Sequence, residues 1–234
     1  LPTTTAELGG LEWYGWTFSA FMLANLVGIT VGGNETDRRG PAPPFLAGTM
    51  LFAGGLVVSG LAPSMAVIVG GRTSQGFGAG LLSAVAYAAI ARAYAVELQP
   101  RMLATLASAW VVPGLVGPGL AGLIAEHAGW RWVFLGLAPL PALAAMLVVP
   151  ALRELPGAAN APEGSARTWV AVQLALGASA ALAGLGRERW WLALVLLLGG
   201  GALAVHALGR LLPAGTLLAR AGLPAAIATM GLLN

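Results

Sequence analysis

The stretch that decides the fold is a long apolar segment in the first half of the chain. From residue 66 to residue 91 it reads AVIVGGRTSQGFGAGLLSAVAYAAIA. A helix of about 20 mostly apolar residues is long enough to cross a bilayer. The only charged side chain in this segment belongs to Arg72. The stretch therefore predicts a transmembrane helix that carries one charge inside the membrane.

Comparable apolar segments lie on both sides of this one. They occupy residues 13–33, 45–63, 103–126, 131–150, 168–186 and 190–209. The chain is 58% hydrophobic and 9% charged, whereas a soluble domain carries about 25% charged residues. Because so few charges cannot cover a water-facing surface, the surface is expected to be solvated by lipid. The sequence predicts an all-α polytopic membrane protein.

The composition argues against enzymes, metal sites and nucleic-acid binding. The chain has no Cys and one Asp, and its two His, His127 and His206, are far apart, so neither a metal site nor a hydrolytic triad is expected. The Arg residues are scattered and form no basic patch for nucleic acid. Residues 117–122 spell the dinucleotide fingerprint G-x-G-x-x-G, but no strand precedes them, which argues against nucleotide binding.

The arginines between the segments indicate the orientation. Eight lie in alternate loops and three in the opposite loops. Because positively charged loops stay in the cytoplasm, residues 1–12 are predicted outside and the 34–44 loop inside. The predicted outer ends then carry a belt of aromatic residues: Trp13, Trp16, Trp130, Trp132, Trp190 and Trp191.

Three local patterns stand out, and the first lies between the first two spans. Residues 31–48 read VGGNETDRRGPAPPFLAG, which predicts a helix end, a tight glycine turn, paired charges and a Pro-rich start of the next helix. A solvated turn with charges at the helix ends would show the same pattern.

The second pattern is GGRTSQGFGAG at residues 70–80. Placing an Arg inside a bilayer costs about 2.5–3.5 kcal/mol on insertion scales, so such a residue usually faces a cavity or a partner. The alternative is that Arg72 reaches back to the outer interface. Gln75 lies on nearly the same side of the helix, and Gly76 and Gly80 form a small-residue face for close helix packing.

The third pattern is VVPGLVGPGLAGLIAEHAGWRWVF at residues 111–134. Pro118 removes a backbone hydrogen bond inside a span and predicts a bend, against which the neighbouring glycines allow close packing. A bent packing helix with no further role is the alternative interpretation.

Together the three patterns resemble the drug:proton antiporters of the major facilitator superfamily. The first resembles its cytoplasmic signature loop, G-x-L-A-D-R-x-G-R-[RK], with matches at Gly33, Asp37, Arg38 and Gly40. The family's loop is a charged latch between the two halves of the protein. Glu35, Pro41 and Ala42 depart from it, so a weakened latch, or one re-paired through Glu35 and Arg39, is expected.

The other two patterns resemble motifs of the family's fourth and fifth helices. The motif R-x-x-Q-G-x-G-A matches at Arg72, Gln75, Gly76, Gly78 and Ala79, and it implies a proton-coupling role for Arg72 and Gln75. The antiporter motif G-x-x-x-G-P-x-x-G-G matches at Gly117, Pro118 and Gly122. The family motif is associated with exporters, and Pro113 and Ala121 depart from it by standing where the motif has Gly.

The resemblance also implies a domain organisation. Residues 1–150 would be helices two to six of the N-terminal six-helix bundle, and residues 151–167 a cytoplasmic linker. Residues 168–209 would be two inserted helices of the fourteen-helix type, and residues 210–234 a loop and the start of the C-terminal bundle. The chain is thus expected to be an N-terminal-half fragment of a bundle truncated at both ends.

The implied function is proton-coupled efflux of small amphiphilic organic molecules by alternating access, with the proton gradient in place of any cofactor. The expected partners are membrane lipid, the substrate, protons and the missing C-terminal half, and the expected location is a bacterial inner membrane. Residues predicted to face the substrate are Asn25, Gln75, Tyr87 and Trp110. A dedicated exporter of one metabolite or antibiotic, and a non-transporting scaffold or receptor, remain alternatives.

Overall fold

The computed structural model of the chain describes residues 4, 7–155, 157, 165–185 and 190–211. These residues form helices and the turns between them, and no strand occurs among them, which confirms the all-α prediction. After a short 3-10 turn at Leu11–Trp13, the helices are α1 (Tyr14–Arg39), α2 (Ala42–Gly60), α3 (Met65–Ala93), α4 (Gln99–His127), α5 (Trp130–Leu135), α6 (Pro139–Arg153), α7 (Ser165–Leu185) and α8 (Trp190–Leu211).

Six helical stretches in the described part of the chain are long and apolar enough to cross a membrane. They are Tyr14–Arg39, Ala42–Gly60, Met65–Ala93, Gln99–His127, Trp130–Arg153 and Trp191–Arg210. The remaining predicted span, at residues 168–186, coincides with α7, whose apolar part at Thr168–Gly184 is shorter than the others. The chain is therefore a multi-pass membrane protein.

The chain divides into two compact units, Leu1–Pro162 and Glu163–Asn234. In the first, α3 lies between α1 and α2, and α5 and α6 pack against α2. Helix α4 contacts α3 and α5, but none of its residues is buried. In the second unit, α7 and α8 pack together through Gly177 and Gly200, where an added methyl group would lie 2.7 Å and 2.6 Å from backbone atoms of the facing helix.

Glycines on two faces of α3 explain its central place. On the α1 side, a methyl group added at Gly80 would overlap the backbone oxygen of Asn25 and lie 2.7 Å from the nitrogen of Ile29. On the α2 side, a methyl group at Gly78 would lie 2.6 Å from the oxygen of Gly48. Helices approach this closely only where no side chain separates the backbones.

The predicted fifth span, residues 131–150, is one helix in the sequence analysis and two in the structure. α5 ends at Leu135 and α6 begins at Pro139. Proline has no backbone N–H, so Pro139 cannot donate to the oxygen of Leu135. The nitrogen of Ala138 donates to that oxygen instead, at 3.2 Å, in a tighter turn. Pro150, the last residue of the predicted span, lies inside α6, which continues to Arg153.

The predicted 34–44 loop is much shorter than expected. α1 continues to Arg39, and α2 begins at Ala42 with prolines in its first turn. The turn between them is formed at Gly40, whose φ of +83° favours glycine. The turn lies within the predicted loop, but it follows the paired charges instead of preceding them, and the first helix ends about one and a half turns later than expected.

Candidate functional site

Arg72 lies in the interface between α3 and α1. Its Nη1 donates a hydrogen bond of 2.7 Å to Oε1 of Gln75, and its Nε donates a longer bond of 3.4 Å to the backbone oxygen of Thr17. The guanidinium carbon lies 4.5 Å from the centre of the Phe21 ring, a cation–π distance. The charge is thus held between helices by neutral groups and is not turned back to the end of α3.

Gln75 is 1% exposed and completes this arrangement. Its Nε2 donates to the backbone oxygen of Gly55 at 2.9 Å and to Oγ of Ser59 at 3.0 Å, both on α2. The side chain therefore links α2 to Arg72. The amide of Gln75 is thus buried and bonded to protein at both ends, and it faces α2 and Arg72 in this structure.

Gly76 and Gly80 lie where α3 meets α1. A methyl group added at Gly76 would overlap the backbone oxygen of Phe21, so the glycine is what allows Phe21 to lie beside Arg72. Asn25 is half-buried at the same interface, and its Nδ2 donates to the oxygen of Gly76 at 3.4 Å. The structure thus places Asn25 in a contact between helices.

A second charged cluster lies at the opposite end of α3. Nη2 of Arg92 donates to Oδ1 of Asp37 at 2.7 Å, and its Nη1 donates to the backbone oxygen of Thr36 at 3.2 Å. The sequence analysis used Arg92 only to orient the chain, because nothing in a sequence indicates which of several arginines will meet an acid 55 residues away. Asp37 of α1 is therefore paired with an arginine of α3 within the first compact unit.

The other charges of the signature pattern pair within α1. Glu35 accepts from Nη1 of Arg38 at 3.3 Å and from Nε of Arg39 at 3.1 Å. Gly40 forms the positive-φ turn described above, and its N–H donates to the oxygen of Thr36 at 3.0 Å. Gly33 has open space beside it among the described residues, so the structure gives no packing reason for that glycine.

The antiporter-motif residues lie along α4. Pro113 and Pro118 are inside a helix that runs without interruption from Gln99 to His127. Added methyl groups at Gly117 and Gly122 would meet nothing within 4 Å in the described part of the chain. Among the described residues, nothing packs against the face of α4 that carries these two glycines.

The remaining predicted substrate residues are exposed. Tyr87 on α3 is 57% exposed and Trp110 on α4 is 63% exposed. Among the described residues, neither Tyr87 nor Trp110 contacts the guanidinium of Arg72. No group of three or more His, Asp or Glu in the described residues is arranged to hold a metal ion.

A further polar cluster, absent from the sequence analysis, joins the chain before α1 to the start of α5. Glu7 accepts from Nε1 of Trp130 at 2.7 Å and from Nη1 of Arg131 at 2.6 Å. The hydrogen bond from Arg131, and then that from Trp130, lower the pKa of the Glu7 carboxyl, while its partial desolvation opposes them. Trp130 is only 6% exposed and packs against Ala62, Met65 and Ile68, so it is buried at the end of its helix and not exposed as a typical belt residue is.

Comparisons with known proteins agree with this architecture. The family model "Major Facilitator Superfamily" matches residues 1–233. A probable multidrug-efflux transporter of Mycobacterium tuberculosis is 37% identical over 152 residues, which cover 65% of this chain and 32% of that protein.

Two more distant relatives come from different organisms. A multidrug efflux pump of Staphylococcus aureus is 28% identical over 64% of this chain and 33% of its own length. A transporter of the acurin A biosynthesis cluster of Aspergillus aculeatus is 28% identical over 65% of this chain and 28% of its own length. The chain thus spans about a third of the curated relatives it matches. With the family model covering nearly every residue, the chain belongs to the Major Facilitator Superfamily.

Proposed function

We propose that the full-length protein is a proton-coupled efflux transporter of the bacterial plasma membrane, exporting small amphiphilic organic molecules by alternating access. The observation that carries this proposal is the environment of Arg72. Its guanidinium lies inside a helix interface and is held by the amide of Gln75, the oxygen of Thr17 and the ring of Phe21. None of these partners is an acid, so they leave the positive charge of Arg72 uncompensated.

An uncompensated cation in the membrane can drive a proton cycle. A carboxylate that approaches Arg72 has its pKa lowered and releases its proton, and a carboxylate that moves away takes one up. In transporters built from two rocking halves around a midplane site, such an approach alternates with the direction the site faces. We propose that the acid belongs to a part of the full-length protein outside the described residues.

The substrate class follows from the residues near the open faces. Tyr87 and Trp110 offer two exposed aromatic rings among apolar side chains, which suits molecules with an apolar body and a cationic group. The mycobacterial and staphylococcal relatives are named as multidrug transporters. The fungal relative favours a second candidate, a dedicated exporter of one product, because its name ties it to one biosynthetic cluster.

Everted membrane vesicles that contain the full-length protein test the proposal. Ethidium, an amphiphilic cation, should induce proton movement in wild-type vesicles, and Arg72→Ala should abolish it. Arg101→Ala is the matched control, since it removes the same charge from an exposed position on α4. Proton movement that survives Arg72→Ala would contradict the role of Arg72.

A substrate panel in the same vesicles separates the candidate functions. An efflux pump of broad range should respond to several unrelated amphiphilic dyes and drugs, whereas a dedicated exporter should respond to one class of compound. A scaffold or receptor should move no protons with any compound.

A further inference from the structure

The amide of Gln75 makes three hydrogen bonds, which use both Nε2 protons and one lone pair of Oε1. Oε1 accepts from Nη1 of Arg72 at 2.7 Å, and the two Nε2 protons point to the oxygen of Gly55 at 2.9 Å and to Oγ of Ser59 at 3.0 Å. The side chain is 1% exposed, so water does not replace any of these partners.

These partners allow only one orientation of the amide. An Arg side chain can only donate, so Oε1 must face Arg72, and a backbone oxygen can only accept, so Nε2 must face Gly55. The Ser59 hydroxyl can donate or accept, and here it accepts the second Nε2 proton. If that acceptor were removed, a buried N–H would lose its partner, which is unfavourable in a dry interface.

The backbone around Ser59 is shaped to bring its hydroxyl to this amide. Ser59 is fully buried at the end of α2. A methyl group added at Gly71 would overlap Oγ of Ser59 and lie 2.9 Å from the oxygen of Gly55. Gly71 therefore leaves the space that the hydroxyl occupies, one turn before Gln75 on α3.

We propose that Ser59 is a positioning residue for Arg72: its hydroxyl accepts the second Nε2 proton of Gln75 and so restrains the amide whose Oε1 binds the guanidinium. Ser59 does not contact Arg72 itself. It acts from α2, through a buried side chain of α3, on a cation that also contacts α1. The orientation of Arg72 is thus set jointly by three helices, so a movement of any one of them would be transmitted to the charge.

The consequence for transport rests on the proposed function. A fixed guanidinium presents its remaining N–H groups in one direction, which favours one geometry for an approaching carboxylate. A guanidinium released from Gln75 samples several geometries, and the pH dependence of transport should then shift while the protein remains folded.

The test records the arginine guanidinium signals of the full-length protein, labelled with ¹⁵N-arginine, in lipid nanodiscs. The Arg72 signal is assigned by its loss in Arg72→Lys. In Ser59→Ala, exchange of the Arg72 Nη protons with water should rise roughly three- to tenfold, the population change expected for one lost buried hydrogen bond. Gly71→Ala should act in the same direction, because it displaces the hydroxyl without removing it.

Ser74→Ala is the matched control. Ser74 is the neighbour of Gln75 on α3 and also bonds to α2, through the oxygen of Leu51 at 2.8 Å, but it does not contact Gln75. It should leave the Arg72 signal unchanged. The proposal is overturned if Ser59→Ala gives the same Arg72 signal as Ser74→Ala, or if it changes the signals of Arg92 and Arg131 equally, because the effect would then be global.

The same variants distinguish this proposal from the proposed function. If ethidium drives proton movement, Ser59→Ala should shift its pH profile and Ser74→Ala should not. If wild-type vesicles move no protons, the proposed function fails, while the arginine signals still decide whether Ser59 positions Arg72.

Discussion

Helices α3 and α4 are both rich in glycine, yet the structure uses their glycines differently. In α3, methyl groups added at Gly71, Gly76, Gly78 or Gly80 would collide with the backbone or side chains of α1 and α2. In α4, methyl groups at Gly114, Gly117, Gly119 or Gly122 would meet nothing within 4 Å among the described residues. A glycine pattern therefore predicts that a helix can be approached closely, but not which element approaches it.

The difference extends to the polar groups of the two helices. Close packing around α3 brings the backbone oxygens of α1 and α2 within reach of Arg72 and Gln75, so the charge and the amide are satisfied inside the interface. In α4, Thr105 and Ser108 bond only to backbone oxygens of their own helix. The proposed coupling site therefore lies in the helix interface that the glycines of α3 make possible.

The largest expected effect comes from filling the glycine face of α3. Gly80→Val should destabilise the full-length protein by about 3 kcal/mol or more, because the side chain would overlap the backbone of α1. Thermal unfolding in detergent measures the change. Gly117→Val on α4 is the matched substitution, and it should cost much less. An equal loss in both would show that α4 has a partner outside the described residues and that the two helices are packed alike.

The next effect concerns the end of α3. Asp37→Asn removes the ion pair with Arg92. The side chain of Asp37 is 55% exposed and that of Arg92 is 24% exposed. Because a partly exposed pair is screened by water, the loss should be about 0.5–1 kcal/mol. Arg101→Gln, which removes an exposed charge near the start of α4, is the control and should change the unfolding temperature by less than the experimental error. A loss of several kcal/mol for Asp37→Asn would mean that the pair holds more of the structure than its exposure indicates.

The smallest effect is a pH dependence at the junction after α4. The pKa of Glu7 is lowered in the folded protein by the hydrogen bond from Arg131. Its stabilising contribution is therefore present above the unfolded carboxyl pKa, about 4.3, and is lost as the pH falls through the lowered folded value. The difference in unfolding temperature between wild type and Glu7→Gln should shrink between pH 6 and pH 3. A difference that grew on acidification would contradict the pairing.

The sequence predicted the positions of the helices well, because the bilayer sets the length of an apolar span. It predicted the first turn less well, because α1 continues through the first glycine pair and the charges to Arg39. The sequence did not reveal the break before Pro139, since prolines also occur inside an uninterrupted helix, as Pro113 and Pro118 do in α4. It also missed the burial of Trp130, because the acid that bonds it is 123 residues away.

The candidate site was predictable only in part. Arg72 and Gln75 were found because a charge and an amide inside an apolar span are costly unless they have a role. Ser59, Thr17 and Phe21 were not found, because their contribution depends on which helix faces which. Residues of these types occur in several spans, among them Phe18, Thr49 and Thr105, so composition could not single them out.

The proposed coupling role of Arg72 is tested most directly by measuring the protons that are released when substrate binds. Purified full-length protein in a weakly buffered detergent solution is mixed with ethidium while the pH is recorded, and binding is followed by fluorescence. Wild-type protein should release protons on binding. Arg72→Ala should bind ethidium with no proton release, because no cation remains to lower the carboxyl pKa. If Arg72→Ala released as many protons as the wild type, the result would contradict the claim that Arg72 couples substrate binding to proton release.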